Sequence, residues 1–248
     1  MIRIVDVHKA FGDNKVLRGV DLSIETGQTM VIIGQSGSGK SVLLKHLIGL
    51  ITPDRGQIFL DGMEITRLKD DELQKVTRKV GMVFQGAALF DSMNVFENVR
   101  FGLTRQTRCA AENIPKIVKD SLAKVGLSGV DHLMPYELSG GMKKRVGLAR
   151  AIAYKPEIIL YDEPSTGIDP IRADAINGLI NQTKKDLQVT SVIITHDIVS
   201  AYKVADTIAM LYQGRIIEQG TPEEIRKSRN PVVQQFISGR AEGPIKTY

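Results

Sequence analysis

The feature that most constrains this chain is a glycine-rich octapeptide that connects an apolar run to a helical pattern. The apolar run at residues 30–33 predicts a buried β-strand, and residues 41–50 have the pattern of an α-helix. The octapeptide fits G-x-x-x-x-G-K-[ST] and reads Gly34-Gln35-Ser36-Gly37-Ser38-Gly39-Lys40-Ser41. A strand, a glycine loop and a helix in this order indicate an α/β fold.

The octapeptide also has the chemistry of a phosphate-binding loop. Its glycines allow backbone N–H groups to converge on phosphate oxygens, and the following helix presents its positive end to the same anion. Lys40 would neutralise phosphate charge, and the Ser41 hydroxyl can coordinate Mg²⁺. A flexible loop without a ligand would leave the Lys-Ser pair unexplained. We therefore predict that residues 34–41 bind a nucleoside triphosphate.

Strands and helices alternate in the second half of the chain. Apolar runs at 158–161, 191–195 and 207–211 predict buried strands, and residues 171–186 have a helical pattern. This alternation predicts a largely parallel sheet.

Two regions depart from this alternation. Near the N-terminus, Val20, Leu22 and Ile24 alternate with polar residues, and Asp61-Gly62 is a two-residue hairpin signal. Between about residues 87 and 154 the strand patterns give way to helical ones. We therefore expect antiparallel β structure in the first region and an inserted helical lobe in the second.

Two carboxylates directly follow the predicted strand at 158–161. They lie at the carboxyl edge, where α/β sheets collect their ligands. Asp162 would hold the hydration shell of Mg²⁺, and Glu163 would polarise the attacking water as a general base. Acidic residues often follow a strand without any catalytic role, so this interpretation depends on the presence of the phosphate loop.

His196 and Gln85 follow other apolar runs. His196 comes after the strand at 191–195 and would contact the γ-phosphate. Gln85 follows the apolar residues 82–84, and its amide could order water or Mg²⁺. Without the other motifs, a lone histidine would more often be a structural hydrogen-bonding residue, and a lone glutamine would predict nothing.

A second helix start with anion-binding chemistry lies within the helical region. Ser139, Gly140 and Gly141 open an amphipathic helix. The chain thus has two phosphate sites but only one loop with a lysine. We therefore expect two copies to associate head to tail, so that Ser139 of each completes the site of the other.

Composition excludes several classes of protein. The 33 basic and 28 acidic residues are interspersed and tryptophan is absent, so we expect no nucleic-acid partner. Cys109 is the single cysteine, which excludes an intramolecular disulfide and suits a reducing compartment. No run approaches the roughly 18 apolar residues of a spanning helix, and the N-terminus lacks the apolar core of a signal peptide. The sequence therefore predicts a soluble or peripheral protein.

Together these residues resemble the nucleotide-binding subunit of ABC transporters over nearly the whole chain. The resemblance implies an α/β P-loop NTPase core of the RecA-like type, with an N-terminal antiparallel β subdomain and an inserted α-helical subdomain. It places the core at 1–86 and 155–228, the helical signature subdomain at 87–154 and a C-terminal extension at 229–248. It also implies ATP and Mg²⁺ as cofactors, and ATP hydrolysis coupled to transmembrane transport.

The resemblance assigns roles residue by residue. Residues 34–41 look like Walker A and residues 138–142 like the signature, while Phe11 stands where the family has an aromatic residue, more usually tyrosine, that stacks on adenine. The residues implied in catalysis are Lys40, Gln85 (Q-loop), Glu163 (catalytic glutamate) and His196 (switch). Those implied to bind nucleotide are Phe11, Gly34, Gln35, Ser36, Gly37, Ser38, Gly39, Lys40, Ser41, Ser139, Gly140, Gly141 and Asp169 (D-loop). Those implied to hold Mg²⁺ are Ser41, Gln85 and Asp162 (Walker B).

Three details resemble the ATPases of Mla/Mce-type phospholipid transport systems. They are Met142 in place of the usual glutamine of the signature, the stretch at 86–93 and the tail at 236–245. This closer resemblance implies a peripheral protein on the cytoplasmic face of the inner membrane, with an inner-membrane permease and a Mce-domain lipid-binding protein as partners. Some members also have a small STAS-type subunit. Residues 89–93 either meet a permease helix or belong to the subdomain core.

Three alternatives remain from the sequence. An importer ATPase for polar solutes, such as amino acids, would share every core motif. A non-transport ABC ATPase of DNA repair or translation usually has coiled-coil insertions or two fused cassettes, and 248 residues hold neither. A P-loop kinase or GTPase would leave the second glycine-rich helix start unexplained.

Overall fold

The computed structural model of the chain describes residues 1–106 and 109–246, with the backbone alone for residues 104–106. The chain divides into two compact units. The first unit comprises Met1–Thr77 and Thr190–Tyr248, and the second comprises Arg78–Val189. Small parts of two predicted segments, 107–108 of the helical subdomain and 247–248 of the C-terminal extension, lie outside the described residues.

The helices and strands are numbered in chain order. The first unit begins with β1 (Ile2–Phe11), β2 (Asn14–Ile24), β3 (Thr29–Ile33), α1 (Lys40–Leu47), β4 (Arg55–Leu60), β5 (Met63–Glu64) and α2 (Asp70–Thr77). The second unit contains β6 (Val80–Val83), α3 (Val95–Gln106), α4 (Ile114–Lys124), α5 (Gly140–Ile152), β7 (Ile158–Asp162) and α6 (Pro170–Leu187). The first unit then continues with β8 (Thr190–Thr195), α7 (Ile198–Val204), β9 (Thr207–Tyr212), β10 (Arg215–Gly220), α8 (Pro222–Arg226) and α9 (Pro231–Ser238).

An antiparallel sheet in the order β2-β1-β4-β5 forms part of the first unit. Ile2 lies opposite Ile24 on one side and Leu60 on the other, and all three side chains are buried. Asp61 and Gly62 connect β4 to β5 with φ angles of 49° and 82°. Positive φ at both central residues is what a type I′ turn requires, so the predicted hairpin is confirmed.

A second set of strands surrounds β3 in the same unit. β3 pairs in parallel with β8 on one side and β9 on the other, and β10 pairs antiparallel with β9. Every residue of β3 and β8 is buried. Burial on both faces explains why these strands have continuous apolar runs rather than alternating patterns. The strands predicted at 30–33, 191–195 and 207–211 are confirmed.

The second unit combines a parallel strand pair with helices. β6 pairs in parallel with β7, and α3, α4 and α5 lie between them in the sequence. Val95, Val99 and Leu103 of α3 are at most 1% exposed, as their helical spacing predicts. The bounds 87–154 for a separate helical subdomain stay a prediction. No helix in the described part of the chain is long and apolar enough to cross a bilayer.

α1 ends three residues earlier than its sequence pattern predicts. Gly49 has a φ of 69°, and its N–H donates to the carbonyl of His46, while the Leu50 N–H donates to the carbonyl of Lys45. These two bonds form a Schellman motif, which stops a helix at a glycine in the left-handed region. α2 was not among the helices that the sequence predicts, and none of its residues is buried.

Candidate functional site

The glycine loop joins the end of β3 to the start of α1, as predicted. A Cβ atom on Gly34 would lie 2.3 Å from the carbonyl oxygen of Leu211. Gly39 has a φ of 101°, and a Cβ atom there would lie 3.0 Å from Cγ1 of Val16. The Leu211 carbonyl leaves no room for a side chain at Gly34, and the positive φ of Gly39 would strain any other residue, so the loop requires both glycines.

Polar groups point into the loop. Lys40 is 5% exposed, and its Nζ donates to the carbonyl oxygens of Gly34 at 2.7 Å and Gln35 at 2.9 Å. The buried Oγ of Ser38 has no hydrogen-bond partner among the described residues. The first turn of α1 contains no acidic residue, so its N-terminal N–H groups face no carboxylate from that turn.

These groups fit a bound triphosphate. An orphaned buried hydroxyl, a buried ammonium and a helix N-terminus are complementary to phosphate oxygens. Within residues 1–106 and 109–246, no cluster of three or more histidine, cysteine, aspartate or glutamate side chains could hold a metal ion alone. A hydroxyl such as that of Ser41, with a carboxylate and phosphate oxygens, is the kind of ligand set that Mg²⁺ uses with nucleotides.

His196 and Phe11 also belong to the first unit. Ile33 lies opposite Thr195 in the pairing of β3 with β8, so His196 and the glycine loop leave the sheet at the same edge. The His196 side chain is exposed. Phe11, at the end of β1, is 50% exposed, and the Lys9 ammonium lies 5.6 Å from the centre of its ring. An exposed ring of this kind is free to stack on a base.

The second unit brings Gln85, Asp162 and Glu163 together at one strand edge. Val83 lies opposite Tyr161 in the parallel pairing of β6 with β7, and the predicted residues follow directly. Glu163 is 8% exposed and has a φ of 49°. The Thr166 hydroxyl donates to its Oε2 at 2.9 Å, which fixes the carboxylate.

The second predicted helix start lies in the same unit, at the beginning of α5. Ser139 is the N-cap of α5, and its Oγ accepts from the Met142 N–H at 3.3 Å. Ser139 and Gly140 are exposed, and the first turn of α5 has no acidic residue. This helix end is therefore accessible to an anion from outside the chain.

Asp169 has a local structural role. It is the N-cap of α6, where its Oδ1 accepts from the Arg172 N–H at 3.0 Å. This hydrogen bond is the main reason that the pKa of Asp169 is lowered. A carboxylate at this position stabilises the helix start whether or not it also meets a nucleotide.

Sequence reasoning missed Lys144, which is 9% exposed and donates from Nζ to the carbonyl of Gln85 at 3.0 Å. It lies in a run of charged residues, which usually indicates a solvated surface. The signal was its spacing, because Leu148 and Ala151 lie four and seven residues further along the same apolar face.

Comparison with known proteins identifies the family. Residues 17–166 match the ABC transporter family, which is more than half of the chain. A Mycobacterium tuberculosis protein named a probable ribonucleotide transport ATP-binding protein is 42% identical over 244 residues, covering 98% of this chain and 68% of that protein.

Two further relatives have names that refer to lipids. The Arabidopsis thaliana chloroplastic protein TRIGALACTOSYLDIACYLGLYCEROL 3 is 40% identical over 262 residues, covering 99% of this chain and 76% of that protein. The intermembrane phospholipid transport system ATP-binding protein MlaF of Haemophilus influenzae is 39% identical over 235 residues, covering 95% and 89%.

A solved structure supplies the fold comparison. It is a dimeric ATP-binding cassette in a post-hydrolysis state, bound to ADP and inorganic phosphate. The TM-score is 0.83 at 33% identity, covering 90% of this chain and 99% of that one. The predicted α/β P-loop NTPase fold is confirmed. The chain therefore belongs to the ABC transporter family and is an ATP-binding subunit with the ATPase activity of that family.

Proposed function

We propose that this chain powers lipid transport, as a head-to-tail homodimer beneath a permease in the inner membrane. The observation that carries the ATP-binding part of the proposal is the buried Lys40 ammonium, held within the glycine loop at the start of α1. In ATP binding, the ammonium would donate hydrogen bonds to phosphate oxygens, as would the Ser38 hydroxyl and the loop N–H groups.

Each predicted site residue has a proposed role in holding ATP. Residues 34–41 bind the phosphates, and the exposed Phe11 ring stacks on the adenine. Ser41, Gln85 and Asp162 would hold Mg²⁺. When bound, the ion supplies charge neutralisation of the phosphate oxygens.

Hydrolysis in this proposal depends on Glu163. Its carboxylate accepts a proton from the attacking water, while Thr166 keeps one carboxylate oxygen in place. His196 contacts the γ-phosphate from the edge that it shares with the glycine loop. The positive charges of Lys40 and the loop dipoles then stabilise charge that develops in the transition state.

A second copy of the chain completes each nucleotide site. The start of α5 is exposed and lacks an acidic first turn, so it is suited to the phosphates of an ATP bound to the partner. Gly140 and Gly141 allow close backbone approach, and Asp169 would contact the same nucleotide region. The solved relative is itself described as dimeric, which supports this arrangement.

Lipid is the transported class that best fits the sequence. The relatives named for phospholipid transport and for trigalactosyldiacylglycerol are 39% and 40% identical over nearly the whole chain. Met142, the stretch at 86–93 and the tail also resemble the Mla/Mce type. A Mce-domain protein and, in some systems, a small STAS-type subunit would then be the partners besides the permease.

Transport of a polar solute is the second candidate. The observation in its favour is the 42% identity to the mycobacterial relative whose name refers to ribonucleotides. The ATPase residues serve both functions, so the distinction lies in the partners and cargo.

The dimer is tested with the Glu163→Gln variant in the presence of MgATP. We expect it to bind ATP, to hydrolyse it at least about 10²-fold more slowly, and to accumulate as a dimer in light scattering. A Glu163→Gln, Ser139→Arg double variant is the matched control and should stay monomeric. Wild-type hydrolysis by Glu163→Gln would mean that another group activates the water.

The lipid assignment is tested by purifying tagged Glu163→Gln with MgATP from detergent-solubilised membranes and analysing bound proteins and lipids by mass spectrometry. The expected result is a permease with a Mce-domain protein and phospholipid above the level of a Lys40→Ala control. Recovery of a polar-solute permease alone would defeat the lipid proposal and leave the ATPase roles standing.

A further inference from the structure

Lys144 is a buried charged residue that has no part in the proposed mechanism. It lies in α5, five residues after Ser139, and is 9% exposed. Lysine is seldom buried to this extent unless its ammonium is paired and hydrogen-bonded. Its neighbour Lys143 is only half-buried. The two lysines therefore have different surroundings although they adjoin in sequence.

The Lys144 ammonium interacts with two proposed site residues. Its Nζ donates to the main-chain carbonyl of Gln85 at 3.0 Å. Burial lowers the pKa of Lys144, and the nearby Glu163 carboxylate acts in the opposite direction. Glu163 is itself 8% exposed, with its backbone in the left-handed region. The buried cation is thus tied by a hydrogen bond to the main chain at Gln85.

α5 also holds the residues that follow Gln85. Ala87 and Ala88 have φ angles of 62° and 44°, a conformation that alanine adopts only where surrounding contacts stabilise it. Arg150 provides such contacts, because its Nη2 and Nη1 donate to the carbonyls of Ala87 and Ala88 at 2.7 Å each. The backbone after β6 is therefore fastened to α5 at three carbonyls, the first of them by Lys144.

We propose that Lys144 is a positioning residue for ATP hydrolysis, which fixes the main chain at Gln85 through its hydrogen bond to the Gln85 carbonyl. The inference rests on the role proposed above for the Gln85 side chain. A fixed main chain holds the Gln85 amide in the place where it would order water or Mg²⁺ for the reaction. A lysine that only supports packing would stabilise the fold without a specific effect on kcat.

The test compares Lys144→Met in the full chain with Lys143→Met, the same substitution one residue earlier in the helix. Methionine keeps most of the side-chain length and removes both the charge and the donor. Lys144→Leu makes the same change with a shorter side chain, and Lys144→Arg keeps both the charge and the donor. The readouts are ATP affinity, kcat, KM and thermal unfolding, and Gln85→Ala is measured alongside.

We expect Lys144→Met to lower kcat by at least about tenfold at neutral pH, with ATP affinity changed by less than about threefold. Lys144→Arg should restore kcat to within about threefold of the wild type, and Lys143→Met should match the wild type. Because Lys144 acts through Gln85, the double variant Lys144→Met, Gln85→Ala should be about as slow as the slower of its two single variants. Lys144→Leu carries the same predictions if Lys144→Met does not fold.

Two results would overturn the inference in distinguishable ways. An unchanged kcat in folded Lys144→Met or Lys144→Leu, while Gln85→Ala is slow, refutes the role of Lys144 alone. Wild-type hydrolysis by Gln85→Ala refutes the role proposed for Gln85, and the role of Lys144 falls with it.

Discussion

Ile33 lies opposite Thr195 in the parallel pairing of β3 with β8. The next residues of the two strands, Gly34 and His196, therefore leave the sheet at the same edge. The carboxyl edge of parallel strands is where α/β folds bind ligands. This register places a histidine beside the phosphate loop although Gly34 and His196 are far apart along the chain.

We expect His196→Ala to slow ATP hydrolysis by about 10- to 100-fold, because a contact to the γ-phosphate strengthens as charge develops in the transition state. ATP affinity should change by less than about threefold, since most phosphate contacts come from the loop. Steady-state kinetics and equilibrium binding measure the two effects. If ATP affinity fell by the same factor as the rate of hydrolysis, His196 would support the fold of the site rather than the reaction.

Lys40→Ala should abolish measurable ATP binding. Each charge-assisted contact of the ammonium is worth about 1.5 to 3 kcal/mol, and the variant leaves the phosphates facing an incomplete loop. The matched control is Lys45→Ala, since Lys45 is exposed on the same helix. Isothermal titration with ATP should show wild-type affinity for the control. Equal affinities in both variants would contradict the assignment of the phosphate loop.

His46 makes stability depend on pH. It is 1% exposed, its Nδ1 donates to the Val42 carbonyl at 2.7 Å, and its Nε2 has no partner in the part of the chain that the structure describes. Burial lowers its pKa from the ordinary value of 6.5. Below pH 6.5 the unfolded chain therefore binds more protons at this residue than the folded chain does.

The free energy of unfolding should consequently fall as the pH drops below 6.5 towards the folded-state pKa. The contribution of His46 to the slope is at most about 1.4 kcal/mol per pH unit. Urea unfolding at several pH values should show a shallower slope for His46→Leu than for the wild type. The exposed His132→Leu serves as the control and should keep the wild-type slope. An unchanged slope in His46→Leu would contradict this account.

Gln235 holds the C-terminal tail against α9. Its side chain is 6% exposed, its Oε1 accepts from the Ile245 N–H at 2.7 Å, and its Nε2 donates to the Ile245 carbonyl at 3.1 Å. Gln235→Leu removes both bonds, so hydrogen exchange at the Ile245 amide should accelerate by at least about tenfold. The exposed Gln219→Leu should leave this exchange unchanged. Unaltered exchange in Gln235→Leu would show that other contacts hold the tail.

Local patterns allowed much of the fold to be predicted. The apolar run of β3 and the Asp61-Gly62 turn each lie within a few contiguous residues. The strand and the hairpin could therefore be predicted from the local sequence. The position of the C-terminal tail could not be predicted from local sequence. The Gln235 amide contacts Ile245 only when residues 240–246 fold back onto α9. The register of β3 with β8 is also nonlocal.

In the candidate site, too, local sequence predicts some residues and fails to predict others. Lys40 and Ser41 were predictable because the loop, its lysine and its helix are contiguous in sequence. Lys144 was not predicted, since it stands in a run of three basic residues, and its spacing to Leu148 and Ala151 was the one sign that its side chain turns inward. The structure adds the partner of its ammonium, the carbonyl of Gln85.

The most direct test of the central claim is a crystal structure of the chain with Mg²⁺ and a non-hydrolysable ATP analogue. The account predicts two protomers and two nucleotides, each with its phosphates contacted by Lys40 of one protomer and by Ser139 of the other. A nucleotide enclosed by a single protomer, with Ser139 distant from every phosphate, would contradict it.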